Sequence, residues 1–249
     1  MLKKYLIIFL FLSTFCFASK INIALAANVS YAINDLKKEF NKLYPNIKVR
    51  VTIGSSGKLT AQINHGAPYD IFMSANMKYP ISLYKKDLAQ NKPVIYTKGS
   101  LALLSIKQQD FTNGLNILLE DKIKIIAIAN PKTAPYGIAA ANALNNAKLY
   151  NKLKPKFIYG ESIAQTVSYT KTAANIGLVA KSSLYSPYMK EFKKDINWID
   201  IPSSLYTPIN QGIVILKNSK NLKDSQKFYD FILSKKAQNI LKRFGYQSI

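Results

Sequence analysis

INIALAANVSYAINDLKKEFNKLYPNIKVRVTIGSSGKL, residues 21–59, decides the fold class. Ile21 to Leu25 reads as an apolar strand. Val29, Ala32, Ile33, Leu36, Phe40 and Leu43 follow at helical spacing and predict a helix over 29–43. Pro45 ends it, and Val49, Val51 and Ile53 then alternate as a second strand. A strand, a helix and a second strand in succession make a βαβ unit, whose strands lie parallel with the helix on one face.

The alternation continues along the chain. Strands are predicted at 70–73, 101–106, 125–129, 157–159, 176–180 and 213–216. Helices are predicted at 59–63, 136–149, 163–170, 224–233 and 237–244. No fixed-period repeat is visible, which excludes a solenoid. The chain has 249 residues, enough for two α/β lobes, and is 48% hydrophobic, enough to give each a core. Crossovers are expected near 96–100 and 201–210. They assign 19–98 and 205–249 to a first lobe and 99–204 to a second.

Residues 1–18 read as a secretory signal peptide. Lys3 and Lys4 precede an apolar run from Leu6 to Phe17, and Ala18 supplies a small residue for cleavage. The run is too short to cross a bilayer as an ordinary helix. Cys16 is the only cysteine, and bulky Phe15 before it argues against lipoprotein processing. The exported chain therefore has neither a disulfide nor a thiolate metal site. A single histidine, His65, precedes Gly66 at a predicted helix end and reads as a polar cap rather than a base. The formal charge is +22; loss of Lys3 and Lys4 leaves +20. Such a balance draws anions from a distance. Arginine occurs only at Arg50 and Arg243, and no basic–aromatic ladder suggests nucleic acid.

In a parallel α/β sheet, ligands collect beyond the carboxyl ends of strands, where helices start with unpaired N–H groups and a partial positive charge. An anion is held there without formal charge on the protein. Four strand-to-helix turns qualify: Ala26 to Ser30, Gly54 to Lys58, Asn130 to Gly137 and Gly160 to Ile163. Asn28 offers a carboxamide donor, Ser56 a hydroxyl and an N–H, and Tyr136 a helix-start N–H.

Ala26-Ala27-Asn28, Gly54-Ser55-Ser56-Gly57-Lys58-Leu59, Gly66-Ala67-Pro68-Tyr69-Asp70-Ile71-Phe72-Met73-Ser74-Ala75, Pro131 to Gly137 and the closing Lys242-Arg243-Phe244-Gly245 resemble the periplasmic molybdate-binding proteins of ABC transporters. The resemblance spans essentially all of the chain after the leader. It implies a two-lobed periplasmic-binding-protein fold, each lobe a mainly parallel sheet flanked by helices, with molybdate or tungstate in the cleft between them. By position it assigns the oxyanion to Asn28, Ser56, Tyr136 and Ile163, the last two acting through backbone N–H. The only metal implied is that of the oxyanion itself, with no cofactor. It implies a membrane permease as partner, a periplasmic location, a monomer and no catalysis. Ala180 departs from the pattern: many members carry a ligand-contacting tyrosine there, so one donor is missing.

Three other readings compete. Sulfate has the same protonation pattern as molybdate. Ser55 and Lys58 fit S-x-x-K, the nucleophile–base spacing of periplasmic acyl hydrolases, without that group's other motifs. The net charge alone would suit a binder of anionic polymers. Glu161, the acid nearest the turns, reads as solvated.

Overall fold

A computed structural model describes residues 19–248, so the leader read at 1–18 lies outside the described residues. The first half of one lobe comprises β1 (Ser19–Ala26), a 3-10 turn at Ala27–Tyr31, α1 (Ile33–Leu43), β2 (Ile47–Gly54), α2 (Ser56–Asn64), β3 (Ile71–Met73), α3 (Lys78–Lys85) and β4 (Val94–Gly99). The other lobe carries β5 (Leu101–Leu104), β6 (Ile126–Ala129), α4 (Pro135–Asn146), α5 (Tyr150–Leu153), β7 (Phe157–Gly160), α6 (Ile163–Thr172), β8 (Ile176–Ala180), α7 (Lys181–Leu184) and β9 (Trp198–Asp200). The chain then returns through β10 (Ile209–Ile215), α8 (Leu222–Leu233) and α9 (Lys235–Arg243).

Two five-stranded sheets result, ordered β2-β1-β3-β10-β4 and β7-β6-β8-β5-β9. The expected two-lobed α/β architecture is present, with one reversed strand in each sheet: β10 runs antiparallel to β3 and β4, and β5 to β8 and β9. The reversal follows from the crossovers. Strands of both sheets point their carboxyl ends at the cleft, so a chain crossing from one sheet enters the next from its cleft edge and must run away from it. Accordingly Leu101, which starts β5, pairs with Ala180, which ends β8, and Ile209, which starts β10, pairs with Gly99, which ends β4. Only Ser100 separates β4 from β5.

Side-chain alternation builds the layers. Ile21, Ile23 and Leu25 of β1 face Leu36 and Phe40 of α1, with Phe228 and Ile232 of α8 and Ile240 of α9. Ala24, on the opposite face, packs with Phe72, Val214, Leu59, Ile63 and Leu83, under α2 and α3. In the second sheet Ile126, Ile128 and Leu178 pack with Ala140 and Leu144 of α4, while Ala102, Leu104 and Val179 meet Val167 of α6. Ala26, Ala27 and Ala75 of the first lobe share a buried cluster with Ala134, Tyr136 and Ile163 of the second. Small residues therefore let the two lobes approach closely at the cleft.

Some expected elements shift. The helix predicted over 29–43 starts as a 3-10 turn, in which Ser30 Oγ donates to Ala27 O and Ala32 N–H to Val29 O. That local bonding tightens the first turn before α1 begins at Ile33. α3 was missed because it contains Pro80, which is tolerated within a first turn. β4 was missed because it lies in a stretch read as crossover. β10 begins at Ile209, before the predicted 213, and its register shifts between Gln211 and Gly212.

Candidate functional site

The four turns meet around one small cavity, about 190 Å³ including its mouth. The first lobe contributes Ala26, Ala27 and Asn28 after β1, Ser55 and Ser56 after β2, and Ala75 after β3; the second contributes Ala134, Pro135, Tyr136 and Ile163. All four residues singled out in the sequence, Asn28, Ser56, Tyr136 and Ile163, line it. Ala180 is not among the lining residues; it is fully buried at the end of β8.

Three α-helices start at this cavity: α2 at Ser56, α4 at Pro135 and α6 at Ile163. Ser55 caps α2 by accepting from Lys58 N–H, and Ser162 caps α6 by accepting from Gln165 N–H. Pro135 opens α4, a position that needs no N–H. These caps satisfy later N–H groups and leave the leading ones. Among the described residues, none accepts from the backbone N–H of Ser56, Tyr136 or Ile163. The Ser56 hydroxyl accepts from Ala75 N–H at 2.9 Å, which turns its own proton away from that contact. The lining contains no lysine or arginine, and Lys58 is exposed. The cavity is thus ringed by hydrogen-bond donors and three helix-dipole positive ends.

Asn28 also has partners within the protein. It lines the cavity and is fully buried, and Nδ2 donates to Gln211 Oε1 at 2.9 Å and to Tyr246 Oη at 2.8 Å. Its Oδ1 is buried and has no partner among the described residues. Gln211, Tyr246 and Tyr96 were not singled out in the sequence. A lone glutamine in the apolar strand Ile209–Ile215 was the available signal, because a buried carboxamide needs partners.

Hydrogen bonds also join the lobes. Gly57 N–H donates to Thr133 O at 2.9 Å, and Tyr79 Oη donates to the same oxygen at 3.3 Å. A Cβ on Gly57 would sit 2.8 Å from Thr133 O, so only glycine permits this approach. Ser182 Oγ donates to Asn28 O at 3.1 Å. Glu161 is not merely solvated: its Oε1 accepts from Ser55 Oγ at 2.7 Å across the cleft. With its hydroxyl donating to the Glu161 carboxylate and Lys58 exposed, Ser55 lacks the lysine partner of a Ser–Lys nucleophile.

Burial pushes the phenols of Tyr96, Tyr136 and Tyr246 well above their ordinary value. All three stay neutral at physiological pH. An acid whose pKa is raised by folding gives stability that is full below its unfolded value, about 10, and is lost as pH rises above it. Stability is expected to be flat from pH 7 to 9. Above pH 10 it should fall by about 1.4 kcal/mol per pH unit for each buried tyrosine. Urea melts at stepped pH check this; a curve flat to pH 11 contradicts it.

A family model described as bacterial extracellular solute-binding protein matches residues 21–247. The molybdate-binding protein ModA of Azotobacter vinelandii is 33% identical over 231 residues, covering 92% of this chain and 90% of that protein. The ModA of Rhodobacter capsulatus is 29% identical over 231 residues, with coverage of 92% and 88%. The solved periplasmic molybdate-binding protein of Azotobacter vinelandii superposes with a TM-score of 0.84 at 31% identity, covering 91% of this chain and 98% of that one. A match over nearly the whole described chain, on the same two-sheet frame, places this protein in a family: the chain belongs to the bacterial extracellular solute-binding proteins.

Proposed function

We propose that this protein is the periplasmic binding component of an ABC importer and carries molybdate or tungstate to a membrane permease. One observation supports this reading above the rest: three helix starts and the Ser56 hydroxyl converge on one cavity that no basic side chain lines. The names of its relatives, which share nearly its full length, favour molybdate over sulfate. Tungstate has the same charge and shape as molybdate and is included on that ground.

Asn28, Ser56, Tyr136 and Ile163 form the proposed site. A fully deprotonated dianion accepts from every donor, whereas a protonated oxyanion wastes one. Hydrogen bonds to a charged group contribute about 1.5–3 kcal/mol each, and nanomolar affinity corresponds to about −12 kcal/mol. Five to seven such bonds reach that range after ordering costs. Residues 19–98 with 205–249, and 99–204, act as two bodies. They close on the anion about the crossing strands, and the permease reads the closed form. The protein is exported by the leader at 1–18, works as a monomer and catalyses nothing. Its net charge, +20 once Lys3 and Lys4 are removed with the leader, gathers anions rather than holding them.

Calorimetric titration of the protein with molybdate, tungstate and sulfate tests the reading. Tight binding of the first two with weak salt dependence is expected. No heat with any of the three overturns it. Ser56→Ala removes one side-chain donor and is expected to weaken molybdate binding by about 1–3 kcal/mol. Lys58→Ala is expected to change it less than about twofold, because an exposed lysine is well screened. A larger loss at Lys58 than at Ser56 would mean a charge-based site.

A further inference from the structure

The cavity has one wall that does not match its other donors. Asn28, one of the lining residues, carries a buried oxygen, Oδ1, with no partner among the described residues, while its nitrogen is taken by Gln211 and Tyr246. An oxyanion bound among donors needs the opposite end of that carboxamide. A carboxamide is nearly symmetric in shape, so exchanging its ends costs little room. It does change what each neighbour must supply.

Gln211 is placed to supply it. Its Oε1 accepts from Asn28 Nδ2 at 2.9 Å and from Tyr96 Oη at 2.9 Å, while its Nε2 donates to Tyr136 Oη at 3.3 Å. Glutamine is itself a reversible carboxamide, and both tyrosine hydroxyls can donate or accept. If Asn28 turns its oxygen to Gln211, Gln211 turns its nitrogen to meet it. Tyr96 then accepts where it donated, and Tyr136 donates where it accepted. Tyr246 Oη, which donates to the backbone oxygen of Asn28 at 2.8 Å, is shared between the two Asn28 oxygens, and Ser182 Oγ supplies a further donor to the backbone oxygen at 3.1 Å.

The backbone is shaped for this contact. The register shift of β10 falls between Gln211 and Gly212, and such bulges re-aim a side chain beside a site. A Cβ on Gly99 would lie 2.1 Å from Tyr136 Oη and 2.7 Å from Gln211 Nε2. Glycine at 99 is what leaves room for the pair. Gln211 therefore touches a site residue of each lobe, Asn28 and Tyr136, from the strand that re-enters the first sheet.

We propose that Gln211 is a positioning residue of the oxyanion site, turning in concert with Asn28 so that the Asn28 carboxamide presents its nitrogen to the ligand. The proposal rests on the oxyanion-binding reading above. Tyr96, Tyr136 and Tyr246 remain protonated throughout the physiological range, so the exchange rotates their O–H bonds, transfers no proton and creates no charge.

A double-mutant cycle with molybdate as probe tests it. Gln211→Met keeps the volume and removes both polar ends; it is expected to weaken molybdate binding about tenfold. Asn28→Ala is expected to weaken it by at least as much. The double variant should bind within about twofold of Asn28→Ala alone, because Gln211 has then nothing to orient. Multiplying losses, or an unchanged Gln211→Met, overturn the proposal. A second readout covers the case where either variant folds poorly. In 15N-labelled wild-type protein, the side-chain amide signals of Asn28 and Gln211 should shift together on adding molybdate. A shift at Asn28 with none at Gln211 also overturns it. If the wild-type protein binds none of molybdate, tungstate or sulfate, the parent reading fails instead.

Discussion

Valine in place of Gly137 is expected to remove measurable oxyanion binding and to destabilise the fold by about 3 kcal/mol or more, at the upper end of overpacking costs. Gly137 sits in the first turn of α4, directly after Tyr136. A Cβ there would lie 2.3 Å from Ala129 O, 2.7 Å from Ala129 C and 2.8 Å from Asn130 C. All three are backbone atoms at the end of β6, so no side chain can rotate aside. The helix start must retreat by more than half an ångström before the first carbon clears 3.0 Å, and valine adds two methyl groups. The Tyr136 N–H moves with it. Hydrogen bonds weaken steeply outside their narrow range of distance and angle, and the Tyr136–Gln211 contact is disturbed as well. Calorimetry with molybdate and a thermal melt measure both effects. A variant that binds within threefold of wild type would show that the α4 start is not part of the site.

Phe40→Ala is expected to act on stability alone. Phe40 is fully buried on α1, with ring centroids 5.0 Å from both Tyr44 and Phe228 and 5.5 Å from Phe231. Truncation removes the packing that joins α1 to α8 over the first sheet. Such changes cost about 3–5 kcal/mol, or roughly 10 °C in Tm for a chain of this size. The residue packs against α8 on one face of the sheet and does not line the cavity, so molybdate affinity at 25 °C should stay within about twofold. Loss of affinity in step with stability would mean that lobe packing and the site are coupled.

The sequence-level reading and the structure agree best where the signal is local and periodic. The β1–α1–β2 unit was legible because its apolar residues repeat at strand and helix spacing. The four turns that line the cavity were legible because each places small or hydroxylic residues between a strand and a helix. Residues joined by distant pairings were not. Gln211 meets Asn28 and Tyr136 across separations of 183 and 75 residues, and no spacing rule connects them. Glu161 looked solvated because its partner, Ser55, lies 106 residues away on the facing lobe. The partners of Asn28 were hidden for the same reason: composition shows that an amide is present but not which end its neighbours hold.

The sheet order also governs when the protein becomes whole. Among the described residues, β4 neighbours only the strand β10 in the first sheet, so it lacks a partner strand until residues 209–215 are available. The middle stretch from β5 to β9 closes its own sheet from consecutive residues. A chain emerging from its amino terminus thus completes the second lobe before the first, although the first began earlier. Loop closure of this length is slow and exposes unpaired edges while it waits. The lobe built on the first sheet is therefore expected to fold last and to expose an unpaired edge longest, with the embedded lobe as the scaffold on which it finishes.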